Sequence, residues 1–417
     1  MSDTCQTVDA SAAAALDDAM APPIRGVPGA KFLRAIQKEL EPLRDIPAHG
    51  NRRLHLHPLI VTLVTSFYDP LIRSLRAIEG RSASTAPIDG QAVQRMARST
   101  TSDALSTFDP KLLRGVIGNL QRQVPQLAGT DKKLQGIARE IVATDGSYFS
   151  TFANVAWALQ HTKTNGKKQA QVRLNLQLST ENWVPQVVSL SGGEDSDGSE
   201  PGAVTPDLQS GVLYVADRGF IDFEFLRQLL AKDNDFVLRI KSNAPGYEIL
   251  ESRPLLPEDV TAGVTADHLV RLTGRDAPTG TFRLVEVRHA SKPDETVRLL
   301  SSLTDAQIPA HVIGYIYRQR WQIELFFRWL KVWCNFDHLL STSRKGITMQ
   351  FYVTVIATLL MHIHLGRKVS KYTLFALRQI SLGLATAEQM KWFLDRRDRE
   401  SELEKIRRAK KAAAKKS

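Results

Sequence analysis

The sequence predicts an α/β protein, with a mixed-sheet domain in the middle of the chain and helical regions on either side. Three observations predict it. Between about residues 30 and 135, apolar residues recur at helical spacing, as in Phe32, Ile36 and Leu40. After Gly136 the period changes to two: Val172, Leu174, Leu176 and Leu178 alternate with polar residues. From Pro309 a long amphipathic segment restores the helical period as far as Trp333.

In chain order, residues 1–29 are Ala-rich and acidic, then broken by Pro and Gly, and read as an unstructured start. A helical region, 30–135, follows. It contains helices over 30–44, over 58–78 with a break at Asp69-Pro70, after Asp89 as N-cap, and over 111–124. Residues 136–345 form the α/β domain. Its strands are expected at 141–145, 172–178, 184–190, 212–216 and 236–240, with a helix at 223–230. The acidic stretch 191–200 reads as a solvated loop. Within this domain, 252–305 alternates again between turn-rich segments and reads as a small antiparallel, β-rich insertion. Helices continue through 346–395, and a basic tail occupies 396–417.

Composition sets limits. The 417 residues carry 55 Lys and Arg against 44 Asp and Glu, a formal charge of +11 that favours an anionic partner, nucleic acid first. Two cysteines, Cys5 and Cys334, exclude a disulfide framework and a Cys-based zinc site. The longest apolar stretch, 351–365, includes Thr354, Thr358, His362 and His364, and is shorter than the roughly 20 apolar residues of a membrane span. The acidic N-terminus lacks the charge of a secretory signal. The expectation is a cytoplasmic protein without a membrane partner. No G-x-x-x-x-G-K-[ST] loop is present, so ATP dependence is not implied.

The chemistry concentrates in Tyr317-Arg-Gln-Arg-Trp-Gln-Ile-Glu-Leu-Phe-Phe-Arg-Trp-Leu-Lys331. On one continuous helix Tyr317, Arg320, Glu324 and Lys331 project within about 60° of arc, with Trp321 and Arg328 just beside them. Ile316, Ile323, Phe326, Phe327 and Leu330 form the packing face. A carboxylate ringed by cations suits a site where a metal ion meets phosphates. Such a site needs further carboxylates. Asp145 ends the apolar run Ile141-Val-Ala-Thr144 before Gly146, and Asp217 ends Val212-Leu-Tyr-Val-Ala216 before Arg218-Gly219. Both are expected at strand ends on a sheet edge.

The spacing Tyr317-x2-Arg320-x3-Glu324-x6-Lys331 resembles the Y-R-E-K signature of insertion-sequence transposases of family four. Ala143-Thr-Asp-Gly-Ser147 and Ala216-Asp-Arg-Gly-Phe220 resemble that family's two catalytic-Asp motifs. Asp217 follows Asp145 by 72 residues and precedes Glu324 by 107, leaving room for a β-rich insertion. The resemblance covers about 139–340. It implies a ribonuclease-H-like fold and a DDE triad of Asp145, Asp217 and Glu324 binding two Mg²⁺, with Mn²⁺ as substitute. It also implies DNA contacts by Tyr317, Arg320 and Lys331. Trp321 adds a surface on which an extruded base could stack, and Arg328 lies beside it. The implied function is cut-and-paste transposition: end cleavage, a hairpin intermediate and strand transfer. The implied partners are transposon inverted-repeat ends and target DNA, bound as a homodimer in the bacterial nucleoid. A DDE nuclease without strand transfer and an inactive DNA-binding regulator are the alternatives.

Outside these motifs, His55-x-His57 and His362-x-His364 lack further ligands for zinc. Asp195, Asp197 and Glu200 lie in the Gly/Ser loop. Ser147 has no His at a diagnostic spacing, so a hydrolase triad is unsupported. Residues 91–98, a Ser/Thr-rich turn and 103–108 loosely resemble a helix-turn-helix in what would be the transposon-end DNA-binding domain. The tail holds ten basic and four acidic residues and reads as a frayed helix or irregular arm that binds phosphates without sequence preference.

Overall fold

The computed structural model describes residues 37–413, except 47–53, 69–71, 85–95, 126–133, 135, 152–154, 156–157, 163–167, 193–207, 221, 242–244, 290–291, 335–337 and 382–383. The N-terminal segment, Asp89, most of the acidic loop and the last four residues therefore lie outside the described residues. The chain divides into one unit of Met1–Phe108 with Phe375–Ser417, and another of Asp109–Leu374. The segment 109–124, expected with the N-terminal helices, belongs to the second unit.

In the first unit, α1 (Leu56–Phe67) buries Leu56, Leu59, Ile60, Leu63 and Val64, the stripe that a 3.6-residue period produces. In α2 (Leu75–Ser84), Arg81 donates to the Thr65 carbonyl near the end of α1 at 2.8 Å, and the Ser82 hydroxyl accepts from Met96 N–H. Residues 91–95 of the expected helix-turn-helix lie outside the described residues, and the turn expected after them is not formed. Its Ser/Thr turn lies inside α3 (Arg98–Thr107). The reason is local. Thr101, Ser106 and Thr107 return their hydroxyls to carbonyls four residues earlier and are satisfied within the helix.

The second unit opens with a 3-10 turn, Pro110–Leu113, and α4 (Arg114–Gln123). The strands are β1 (Ile141–Thr151), β2 (Leu159–Thr162), β3 (Lys168–Ser179), β4 (Pro185–Ser191), β5 (Leu213–Ala216), β6 (Asp235–Ile240), β7 (Gly246–Ser252), β8 (Val264–Thr273), β9 (Phe282–His289) and β10 (Lys292–Ser301). They form one ten-stranded sheet in the order β2-β3-β1-β5-β6-β10-β9-β8-β7, with β4 also on β3. β1, β5 and β6 run parallel, and β3 is antiparallel to β1. Parallel strands are buried on both faces, and all four residues of β5 are buried.

One face of the sheet packs under α5 (Phe223–Ala231). Phe225, Leu226 and Leu229 meet Val142, Tyr214, Ala216, Phe236 and Leu238. The same core continues through Val270, Leu272, Phe282, Leu284 and Leu300. The β-rich insertion is therefore not a separate unit. It begins earlier than expected, at Gly246, and extends the central sheet through antiparallel pairing of β10 with β6. Pairing between strands about 60 residues apart leaves no mark in a local alternation pattern. Between β7 and β8 the insertion also carries α6 (Pro257–Thr261).

The expected long helix over 309–333 is two helices, α7 (Ala310–Arg318) and α8 (Trp321–Trp333). At the junction Gln319, Arg320, Gln322 and Ile323 each donate to the carbonyl three residues back, a 3-10 tightening. The predicted packing face is buried: Ile316, Ile323, Phe326, Phe327 and Leu330 are each at most 5% exposed. α9 (Arg344–Leu365) is the one described helix long and apolar enough to cross a membrane, and 83% of its apolar window is buried inside the protein. It packs as the buried helix expected over 351–365. α10 (Lys371–Ser381) and α11 (Ala387–Ala413) follow. The tail is helical to Ala413 rather than irregular. Arg396 and Arg397 pair with Glu400, and Arg408 pairs with Glu404.

Candidate active site

Register builds the first part of the site. Thr144 pairs with Ala216, and Ala216 with Leu238. The next residues on these three strands, Asp145, Asp217 and Arg239, are therefore adjacent at the carboxyl ends of the parallel ladder, where α/β sheets gather ligands. Asp145 is not at the end of its strand, as expected. β1 runs on to Thr151 because β3 continues to pair with it. What ends at Asp145 is the parallel partner β5, which opens one flank of an otherwise largely buried carboxylate. Asp145 Oδ1 accepts Gly146 N–H at 2.7 Å, and Asp217 Oδ1 accepts Arg218 N–H at 2.8 Å.

The α7–α8 pair supplies the rest. A 3-10 turn repeats every three residues, so the tightened junction brings Arg320 nearly into line with Tyr317. The Tyr317 hydroxyl donates to Asp217 Oδ1 at 3.3 Å. Arg320 bridges two carboxylates, with Nη1 3.4 Å from Asp145 Oδ2 and Nη2 2.7 Å from Glu324 Oε1. Its Cζ lies 5.8 Å from the Tyr317 ring centre. Lys331, two turns on, donates Nζ to the Ser147 hydroxyl at 2.7 Å and lies 4.8 Å from the Phe149 ring centre. The structure thus brings Asp145, Asp217, Tyr317, Arg320 and Glu324 together, with Lys331 bonded to Ser147, two residues beyond Asp145 on β1. Trp321 and Arg328 are exposed on α8, outside this interlocked set.

Arg239 is the residue that the motifs missed. Its Nη1 is 3.8 Å from Asp217 Oδ1. Counting the parallel register across from Asp217 is the signal that finds it. Ser147, set aside as a nucleophile, serves as the acceptor for Lys331.

The electrostatics follow from packing. Burial pushes the Asp145 carboxyl above its ordinary range. The Gly146 N–H and Arg320 oppose that, while Glu324 and Asp217 add to it. Burial also raises the Tyr317 hydroxyl. Burial alone would lower Arg320, but Tyr317 and Glu324 outweigh it and keep the guanidinium firmly charged. Lys331 is lowered by burial.

The sheet extension holds the start of α7. Pro309, the N-cap residue, has no side-chain acceptor, and Asp259 on α6 takes that role from outside the helix. Its Oδ1 accepts His311 N–H at 2.8 Å, and Oδ2 accepts Leu256 N–H at 2.9 Å. Arg283, buried against Asp267, donates Nη1 to the Asp305 and Ile308 carbonyls just before the helix.

Among the described residues no three His, Cys, Asp or Glu side chains stand close enough to hold a metal ion as arranged. Arg320 occupies the space between Asp145 and Glu324. The donor chemistry still fits a hard divalent cation: three carboxylates, one of them raised by burial and by its carboxylate neighbours. The paired histidines take no part. His362 is fully buried within α9, and burial lowers its pKa to about 4.

Residues 137–360 match the family model described as "Transposase DDE domain". The chain is 27% identical over 267 residues to a protein named as a transposase for insertion sequence element IS4SA from Synechocystis, covering 64% of this chain and 71% of that one. It is 26% identical over 252 residues to a protein named as a transposase for insertion sequence element IS5377 from Geobacillus stearothermophilus, covering 60% and 62%. It is 24% identical to a Sinorhizobium fredii protein named as a transposase, covering 52% and 59%. A solved piggyBac transposase synaptic complex with hairpin DNA aligns with a TM-score of 0.38 at 14% identity, over 87% of this chain and 78% of that one. The match to the domain spans more than half of the chain and includes all three carboxylates and the Tyr-Arg-Glu-Lys helix pair: the chain belongs to the DDE transposase family of insertion sequences.

Proposed function

We propose that this protein is a cut-and-paste DNA transposase whose cleavage centre is Asp145, Asp217 and Glu324. One observation carries the reading. Three carboxylates from β1, the end of β5 and α8 converge and are cross-linked by Arg320 and Tyr317. The strand order β3-β1-β5-β6, with β3 alone antiparallel, supports a ribonuclease-H-like core.

Asp145, Asp217 and Glu324 would hold two Mg²⁺ ions, with Mn²⁺ as substitute, which when bound supply activation of a water or 3′-hydroxyl and stabilisation of the leaving oxygen. The remaining chemistry belongs to the chain. Arg320, permanently charged and shielded from water, stays cationic beside the scissile phosphate and offers two N–H donors in one plane. Tyr317 keeps its proton and can donate to a phosphate oxygen. Lys331 and Arg239 add positive charge on either flank. Trp321, exposed beside this row, presents a flat surface to an unstacked base. No side chain in the set acts as a nucleophile, so the reaction is direct in-line displacement at phosphorus. The expected products are 3′-hydroxyl ends, a hairpin on the transposon end and joining to target DNA. The protein acts as a homodimer on two inverted-repeat ends. The exposed Arg73, Arg76 and Arg98 of the first unit support end binding there.

The test uses the DNA that flanks this reading frame as substrate. Asp145→Ala, Asp217→Ala and Glu324→Ala should each retain end binding in gel-shift assays and lose both cleavage of flanking DNA and joining of pre-cleaved ends to a supercoiled target. Normal cleavage by any one of them contradicts the assignment. Cleavage without joining by the parent protein reduces it to a nuclease.

A further inference from the structure

Glu324 differs from the two aspartates in riding on a helix held by side chains alone, and the β3–β4 turn contains an unusual device against that helix. Trp183 has φ of +61°, a left-handed conformation that is a genuine outlier for a bulky residue. The strain is held by local bonds. Trp183 N–H donates to the Ser179 carbonyl, Ser179 N–H to the Val184 carbonyl, and Val184 N–H to the Asn182 side chain. The resulting indole reaches α8 at two points one turn apart. Its Nε1–H donates to Gln322 Oε1 at 2.8 Å, and its ring meets the buried Phe326 edge to face at 6.1 Å. Gln322 and Phe326 bracket Glu324 in sequence. The indole also meets Lys368, whose Nζ is 5.9 Å from the ring centre and donates to the Thr180 carbonyl at 3.1 Å.

We propose that Trp183 is a positioning residue for Glu324: the strained turn clamps the first turns of α8 and sets the rotation at which the carboxylate meets Asp145 and Asp217. This rests on the reading that Glu324 is a metal ligand. The sheet fixes Asp145 within the paired strand β1 and Asp217 one residue past the end of β5. α8 is held instead by side chains, and to its buried face the Trp183 indole adds a polar and an aromatic contact on consecutive turns that fix axial position and rotation. Strain is retained where the surrounding structure over-determines it. Supporting groups behind metal ligands tune affinity by about tenfold or more.

The full-length protein is titrated with Mn²⁺ alone, with free ion read by electron paramagnetic resonance. Trp183→Phe keeps an aromatic ring, though a smaller one, and removes the N–H donor. Gln322→Met removes the acceptor on the helix surface and guards against misfolding at the turn. Each should raise the half-saturating Mn²⁺ concentration about tenfold with little change in thermal melting. The double variant should go no further than the weaker-binding single variant. Cleavage of end DNA should recover at high Mn²⁺. Wild-type Mn²⁺ binding by both single variants overturns the proposal, provided Glu324→Ala binds more weakly. Unchanged binding by Glu324→Ala overturns the metal-ligand reading itself, and the proposal with it.

Discussion

The sheet-borne and helix-borne halves of the site are built by different means. Asp145 and Asp217 each directly follow the last pair, Thr144 and Ala216, of a parallel ladder, over a core with β5 wholly buried. Glu324 lies beyond a 3-10 junction on α8. It depends on Asp259, Arg283 and the packing face of the helix pair. The contrast teaches that strand carboxylates are positioned by topology, whereas the helix carboxylate is positioned by side chains that can be removed one at a time.

The largest break in that comparison is removal of charge. On the proposed reading, in which each carboxylate is a metal ligand, Asp217→Asn or Glu324→Gln should lower end cleavage by about 10³-fold or more. Asp145→Asn should do the same to activity while raising thermal stability at neutral pH. A carboxyl whose folded pKa is raised stabilises the fold below its unfolded value and loses that contribution as pH rises through the folded pKa. The neutral amide avoids the loss, and melting measured against pH with both proteins checks it.

Next is Arg320→Lys, which keeps the charge but cannot reach Asp145 and Glu324 in one plane. Single-turnover cleavage should fall about 10²-fold with end binding nearly unchanged. Full activity in the lysine variant would mean that the guanidinium bridge is incidental.

Asp259→Ala tests the helix-borne half alone. Burial works against the charged Asp259, yet N–H bonds from His311 and Leu256 hold its carboxyl below the ordinary range. Its loss uncaps α7 and should cost about 1–2 kcal/mol by denaturant unfolding. Because the pKa is depressed, the stabilisation is present above the unfolded value and disappears as pH falls through the folded one. The difference between parent and variant should therefore shrink in acid.

His362 gives a smaller, pH-bound effect. Its folded pKa of about 4 lies below the ordinary 6.5, so the stability tied to neutral His362 is full above 6.5 and is lost as pH falls toward 4. His362→Phe should flatten melting temperature across that window. Smallest in the folded state is deletion of 396–417. Exposed i,i+4 pairs contribute little stability, so melting should hardly move while non-specific DNA binding weakens and loses salt dependence.

Much of this site is legible in the sequence because its residues sit on short-range periodicities. Tyr317, Arg320 and Glu324 share a helix spacing that survives the 3-10 break, since a three-residue repeat keeps Tyr317 and Arg320 aligned. Asp145 and Asp217 each end an apolar run beside a glycine or a Gly-containing turn. The break itself was invisible: Gln319 and Arg320 are good helix formers with no Gly or Pro between them. Arg239 looks like any strand cation until register places it beside Asp217. Asp259 and Trp183 act across 52 and 139 residues, on His311 and Gln322 respectively, and no local pattern announces them. The β-rich insertion was readable as strands, but its fusion with the central sheet depends on β6–β10 pairing, which is non-local.

The claim that sheet and helix carboxylates form one centre is tested most directly by single-turnover cleavage of end DNA in Mg²⁺ by Asp145→Asn, Asp217→Asn and Glu324→Gln, with end binding measured on the same samples. The account predicts that all three bind the ends and none cleaves. Cleavage at the parent rate by Glu324→Gln, with both aspartate variants inactive, would show that α8 supplies no part of the centre.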